Sequence, residues 1–233
     1  MTYKTILVNC DAGARVPQRL EVATELAARF GAHLVGAHAR PPFEAPMFFD
    51  GGMPMDSLFQ AYEQQVKNDL NTSSSAFQKA IKGKHLSSEW RVVDGFADSE
   101  LAVHARYADL VVVGQAASQG DGQTPDDMPE AVSLATGRPT LVVPHIGVSR
   151  APGKNVMLCW NASRESARAA SDALPFLKAA EKVTVLVIDP RSTGGGHGAG
   201  GDEHHAARHR GCAVEVLRAV EHPHRPRLGH GDA

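Results

Sequence analysis

The chain writes its apolar residues in two rhythms, and the rhythms alternate. TILVNC (residues 5–10) is a short continuous run, the pattern of a strand buried on both faces. Leu20, Ala23, Ala27 and Phe30 then recur at steps of three and four. That spacing predicts a helix with Pro17 in its first turn and Gly31 at its end. HLVGAHA predicts a second strand, and PPFEAPMFFDGGMP, punctuated by Pro and Gly, a loop. Leu58, Tyr62, Val66, Leu70, Ser73, Phe77 and Ile81 mark one face of a long helix. SEWRVV is a third strand, and Asp98 is placed to cap a helix carrying Leu101, Ala102 and Ala105. ADLVVVG, the helix MPEAVSLATG and RPTLVVP complete the series.

Strands joined by helical crossovers predict an α/β fold, a doubly wound parallel five-stranded sheet. In such sheets ligands bind beyond the carboxyl ends of the strands, where strand order reverses. That places the end of the first strand, Cys10 to Gly13, opposite the end of the fourth, Gly114 onward.

The start is then written again. KNVMLCWNAS (154–163) repeats the form of KTILVNCDAG (4–13). NVMLCW predicts a strand. The helix SRESARAASDALPFLKAAEK follows, with Ala167, Ala170, Leu174 and Leu177 on one face and a kink at Pro175. VTVLVID is the next strand. After it the text changes to a His-, Gly- and Arg-rich tail. CAVEVLRAV in that tail reads as a third strand, but the only apolar residues between Gly201 and Gly211 are Ala206 and Ala207, too few for a helix stripe. The expected organisation is therefore a domain at 1–146, a truncated second copy at 153–191, and an atypical tail at 192–233. His205 and His209, spaced i, i+4 with His204 or Cys212 near, raise a zinc or nickel site. A disordered polar tail and a shifted reading frame are the other readings.

A first strand ending in aspartate, ADLVVVG as a fourth strand and RPTLVVP as a fifth resemble the universal stress protein family. CWNASRESARAASDALPFL is similar to the second half of its bacterial tandem members. The resemblance implies the adenine nucleotide alpha hydrolase-like fold and, in one subgroup, adenine-nucleotide binding. There, an aspartate ending the first strand contacts the adenosine, and a G-x2-G-x9-G-[S/T] stretch after the fourth strand wraps the phosphates. It also implies dimers paired through their fifth strands.

Asp11 matches the family aspartate, with Ala12 beside it. Its other reading is a cap on the turn into the first helix. Asn161 holds the same place in the repeat. Gly114 matches the first motif glycine, but the second falls on Ala117 and the final Gly-Ser near Asp126 and Asp127. A phosphate cradle needs converging backbone N–H groups. Asp121, Asp126 and Asp127 oppose an anion there, and no Lys or Arg precedes Arg138 in this stretch. Two like charges about 4 Å apart repel by about 1 kcal/mol in water and about four times that near a protein surface. The expectation is a degenerate nucleotide site at Asp11, Ala12 and Gly114, no tightly bound cofactor, and ATP or AMP held weakly if at all.

Composition narrows the remaining classes. The 233 residues carry a formal net charge of −2, which offers no bulk positive field for nucleic acid. No apolar run reaches the length of a membrane span. MTYKTILV has no charged lead before a signal core, so a cytoplasmic protein is expected. Three cysteines are too few for a disulfide framework, and Cys10 and Cys159, in apolar runs, read as buried small hydrophobes. His38 and His104 are the candidate acid/base groups, but His38 lies at a strand end with no visible partner, His104 lies on a short helix, surface or satisfied histidines are the default, and Ser163 reads as an N-cap. The expected function is a non-catalytic stress-response module, not an enzyme. It would act through protein contacts and self-associate through the strand edges that truncation exposes. A nucleotide-binding or nucleotide-hydrolysing protein on the same fold is the alternative.

Overall fold

The computed structural model describes residues 2–44, 54–115, 127–148 and 152–188, with the Ile188 side chain excepted, and the backbone of 207–209 and 212–218. The chain divides into two compact units, Met1–Pro152 and Gly153–Ala233.

In the first unit five strands alternate with four helices. They are β1 (Thr5–Asn9), α1 (Val16–Phe30), β2 (His33–Arg40), α2 (Met55–Ile81), β3 (Ser88–Asp94), α3 (Ala97–Ala105), β4 (Leu110–Gly114), α4 (Met128–Thr136) and β5 (Thr140–Val143). Strand order is β3-β2-β1-β4-β5, and every pairing is parallel. α1 packs beside α2, and α3 beside α4. Right-handed crossovers in that order put each pair on its own face of the sheet. The doubly wound architecture read from the apolar rhythm is the one observed.

β1 lies at the centre. Ile6, Leu7 and Val8 are buried, and all five residues of β4 are. The core on one face joins Leu7, Val35, Val111 and Val113 to Met128 and Val132. At the amino edge the Asp109 carboxylate accepts the N–H groups of Lys4 and Thr5 at 2.7 and 3.0 Å, clasping the start of β1 to that of β4. Pro17 stands in the first turn of α1, and Gly31 ends the helix in the left-handed region at φ 63°.

α2 runs for 27 residues, about 40 Å, and so outreaches the strands it packs on. Its predicted stripe divides accordingly. Ser73 and Phe77 are buried, while Leu58, Tyr62, Val66 and Leu70 are only half-buried. Phe77 packs against Trp90 and lies over Gly36. A Cβ at Gly36 would come within 2.5 Å of the Phe77 ring.

Asp98 does not cap α3. The N-cap position is Phe96, with no side-chain bond, and Asp98 sits in the first turn, where its charge favours the helix N-terminus.

The second unit opens with β6 (Asn155–Cys159), α5 (Arg164–Asp172), α6 (Leu174–Ala179) and β7 (Lys182–Ile188). β6 and β7 pair in parallel, as β1 and β2 do. Ser163 caps α5, its Oγ accepting Ser166 N–H at 3.1 Å. Pro175 breaks the helix rather than kinking it. α5 stops at Asp172, and α6 begins at Leu174 with the proline in its first turn. The break shifts the buried side: Ser166 and Pro175 are enclosed, while Ala167 and Leu174 face outward.

CAVEVLRAV does form a strand, β9 (Cys212–Arg218), but it runs antiparallel to β7 and pairs with β8 (Ala207–His209). The sheet is β6-β7-β9-β8. A parallel third strand needs a crossover that packs back on the sheet, usually a helix, and the sequence before it offers no such stripe. His209 lies on β8, opposite Cys212, so the helical i, i+4 relation with His205 does not apply. His204 and His205 lie outside the described residues, and among the described residues no cluster could hold a metal.

β6 is an edge strand, and its residues alternate exposed and half-buried. Cys159 is consequently exposed and not the buried small hydrophobe expected of it. β1 owes its burial to a neighbour on each side and helices on each face, and β6 has only β7.

Replacing Gly36 by alanine drives a methyl into the Phe77 ring. The Gly36→Ala protein should lose about 1–3 kcal/mol of stability, read as a lower urea midpoint at unchanged slope. A midpoint equal to the parent's would mean that the ring has room to retreat.

Candidate functional site

Strand order reverses between β1 and β4, so the carboxyl ends of those two strands frame the site. Cys10 adds one more rung, its N–H donating to Ala37 O at 2.8 Å, and then the chain leaves the sheet. The Asp11 carboxylate accepts Gly13 N–H at 2.9 Å, a side-chain turn that directs the backbone toward α1. The second unit makes the same turn, with Asn161 Oδ1 accepting Ser163 N–H at 3.1 Å. The duplicated text therefore encodes a duplicated turn. Asp11 caps this turn and not the helix, whose N-cap is Arg15. Ala12, in the middle of it, is half-buried.

The other Asp11 oxygen meets Arg19. Nη2 of Arg19 donates to Asp11 Oδ2 at 2.8 Å, and Asn9 Nδ2 approaches the same oxygen at 3.3 Å. The pair is sealed: the Arg19 side chain is 3% exposed and that of Asp11 10%. Arg19 sits on the inner stripe of α1, among the buried Val16, Leu20 and Ala23. Its guanidinium also covers the end of β4. A Cβ at Gly114 would stand 3.2 Å from Arg19 Cζ and 3.3 Å from Nη1. Arg19 Nε and Nη1 are closed to solvent and have no hydrogen-bond partner among the described residues. Gly114 thus has a structural reason to be glycine, because it makes room for a buried cation.

Asp11, Ala12 and Gly114 do converge at this place. Reading the sequence missed Arg19, the residue that joins Asp11 to Gly114. The loop after β4, where the family motif would lie, holds no basic residue. The signal lay on α1, as an arginine on the face where every neighbouring position is apolar. Of the acidic residues expected to guard the loop, Asp121 and Asp126 lie outside the described residues, as does Ala117. Asp127 stands at the N-cap position of α4 and makes no capping bond through its side chain.

The other candidates are occupied by structure. His38, buried at the end of β2, has partners the sequence did not reveal: Nδ1 lies 2.8 Å from Cys10 O and 3.0 Å from Ser73 Oγ. The carbonyl can only accept, so Nδ1 carries the proton in this arrangement. Ser73 gives its own hydroxyl to Leu70 O at 3.1 Å. His104, on α3, has Nδ1 3.5 Å from Arg91 Nη1. Burial pushes the Cys10 thiol up to about 12, although the Arg19 cation pulls the other way. At neutral pH it stays protonated and is no nucleophile.

A cavity of about 600 Å³ opens on the same edge of the sheet, but under the overhanging half of α2. Arg40, Tyr62, Val66, Leu70 and Asp94 help line it, whereas Asp11 and Gly114 do not. Arg40 Nη2 and Asp94 Oδ1 are paired at 2.6 Å, so two of its charges answer each other.

A profile described as "Usp: Universal stress protein family" matches residues 2–123. No curated protein matches the chain. Among solved structures, a universal stress protein from Archaeoglobus fulgidus DSM 4304 aligns at 14% identity with a TM-score of 0.57. It covers 79% of this chain and 66% of its own. A family protein from Burkholderia pseudomallei aligns at 23% identity and TM-score 0.42, over 61% of this chain and 96% of its own. A universal stress protein in complex with cAMP aligns at 21% identity and TM-score 0.38, over 62% and 98%. At these identities the likeness is one of fold.

Breaking a buried pair by removing one partner costs about 3–5 kcal/mol, because the other charge is left uncompensated. Asp11→Ala should therefore be destabilised by that amount in urea unfolding. The double variant Asp11→Ala with Arg19→Leu should recover most of the loss. Equal stability of Asp11→Ala and the parent would mean that water, not Asp11, compensates Arg19.

Proposed function

The chain belongs to the universal stress protein family, and on that premise we propose that it is a non-catalytic stress-response module. Its adenine-nucleotide site is degenerate, and it acts through protein contacts, first of all with further copies of itself. One observation carries this reading. The Asp11 carboxylate already accepts from the Gly13 N–H, the Asn9 amide and the Arg19 guanidinium, and that guanidinium also covers Gly114. A nucleotide entering between β1 and β4 would have to displace a buried ion pair.

The other candidate residues speak against catalysis. Acid/base and nucleophilic work needs side chains free to exchange protons or attack. His38 is bound to Cys10 O and Ser73, the Cys10 thiol is held protonated, and Ser163 caps a helix.

Self-association is supported by the sheet edges. β5 and β6 each end a sheet. Val142 on β5 is 39% exposed and Met157 on β6 is 63% exposed. Open apolar edges are templates for further strands. β6 holds no charged residue to discourage pairing. No helix among the described residues is long and apolar enough to cross a membrane. A cytoplasmic setting is part of the proposal.

Isothermal titration of the purified chain with ATP and AMP should give no saturable heat. A dissociation constant below about 10 µM for either would sink the degenerate-site reading.

Light scattering at micromolar concentration should report dimers or larger species, and Val142→Lys or Met157→Lys should shift the distribution toward monomer. A parent chain that runs as a uniform monomer would remove the self-association half of the proposal.

A further inference from the structure

An apolar helix stripe that looks onto a cavity asks for an occupant. The cavity of about 600 Å³ under the overhanging half of α2 belongs neither to the switch point nor to the β5 and β6 edges. We infer that it is a binding site for an uncharged aromatic small molecule, held between α2 and the carboxyl ends of β2 and β3. The inference stands apart from the nucleotide reading. It uses neither Asp11 nor Gly114, and neither reading falls with the other.

Three features support it. First, Tyr62, Val66 and Leu70 follow one another at steps of four along α2, the spacing of a face made for a core, yet all three are only half-buried. α2 carries them past the last rung of β2 and β3, where Arg40 stands opposite Asp94. The cavity opens where the sheet stops supporting the helix, and its volume falls within the range of about 300–1,000 Å³ found for small-molecule pockets. Second, the wall is aromatic and held in place. Tyr62 donates its hydroxyl to Pro41 O, and Phe43 packs against the Tyr62 ring at 5.2 Å and against Phe59 at 5.4 Å. With its hydroxyl committed, Tyr62 offers the cavity a ring. Third, the charges that line it cancel. Arg40 and Asp94 are paired at 2.6 Å. Glu63 and Lys67 complete the charged lining, one turn apart on α2 with the acid nearer the amino end, which is the favourable order.

The ligand class follows from that lining. Two cations and two carboxylates sum to zero, so a phosphate or carboxylate gains no net attraction there and still gives up its water. An uncharged ring gains on three sides. It buries apolar surface against Val66 and Leu70. It meets the Tyr62 ring. It can also lie on the planar guanidinium of Arg40, whose side chain is 41% exposed beside its bond to Asp94. An aliphatic molecule of equal size gains only the first of these.

Isothermal titration of the full chain with 2-naphthol, 1-octanol and 2-naphthoate tests it. These are an uncharged aromatic, an aliphatic of similar size, and an anionic counterpart of the first. 2-Naphthol should saturate a single site, at least about tenfold tighter than either of the others. Val66→Trp and Leu70→Trp fill the space, and each should weaken 2-naphthol by at least about tenfold. Glu63→Gln leaves the lining net positive and should narrow the gap between 2-naphthoate and 2-naphthol. Far-UV circular dichroism establishes which variants fold. If neither tryptophan variant folds, amide chemical shifts of the parent decide, and 2-naphthol must move those of Tyr62, Val66 and Asp94. Any of five results overturns the assignment: no saturable 2-naphthol binding, binding that survives a filled cavity, 1-octanol or 2-naphthoate bound as tightly, an unchanged gap in Glu63→Gln, or shifts centred elsewhere.

Discussion

A charge enclosed in protein must be answered by an opposite charge, and the first unit is arranged around one such answer. Arg19 is carried inward on α1 and meets Asp11 as the chain leaves β1. The pair sits where the parallel sheet changes direction, at the one gap its strand order leaves between neighbouring crossovers. Glycine at the end of β4 follows from the space the Arg19 guanidinium takes. Between the ends of β1 and β4 stands the protein's own Arg19 side chain, bonded to Asp11 and close against Gly114.

The two units handle their first strand differently. In the first, β1 has a strand on either side and a helix layer on either face, and its apolar run disappears from solvent. In the second, the same kind of run becomes an edge, and Met157 and Cys159 face outward. Both open in the same way, with a parallel pair joined through helix and turn. They diverge where the second unit's next strand returns antiparallel to β7. Local sequence can specify a strand, a turn and a helix start, but whether the strand is buried depends on neighbours encoded elsewhere.

Much of the fold was legible because each signal was local and repeated. Pro17 and Gly31 bounded α1, the continuous run of β1 announced burial on both faces, and the alternation of rhythms gave the sheet its class. The misses have physical causes. Asp98 satisfied the composition of a cap, but the helix began one residue before it. Cys159 looked buried because periodicity does not say whether a neighbouring strand exists. The stripe on α2 was read as uniformly inward, although the helix is longer than its support. At the site, Asp11 and Gly114 were found from their places at strand ends, while Arg19 was passed over because it belongs to a different element and its partner is eight positions away. His38 likewise found its partners across the sheet, beyond the reach of sequence spacing.

The paired turns at Asp11 and Asn161 separate two demands that a single acid usually hides. The backbone asks only for a carbonyl-like oxygen, which an amide supplies as well as an acid does. The negative charge answers to something else, the cation across the gap. Shape and charge at this corner can therefore drift independently. A descendant chain could trade one for the other without refolding, and a designer could retune the local potential without touching the architecture.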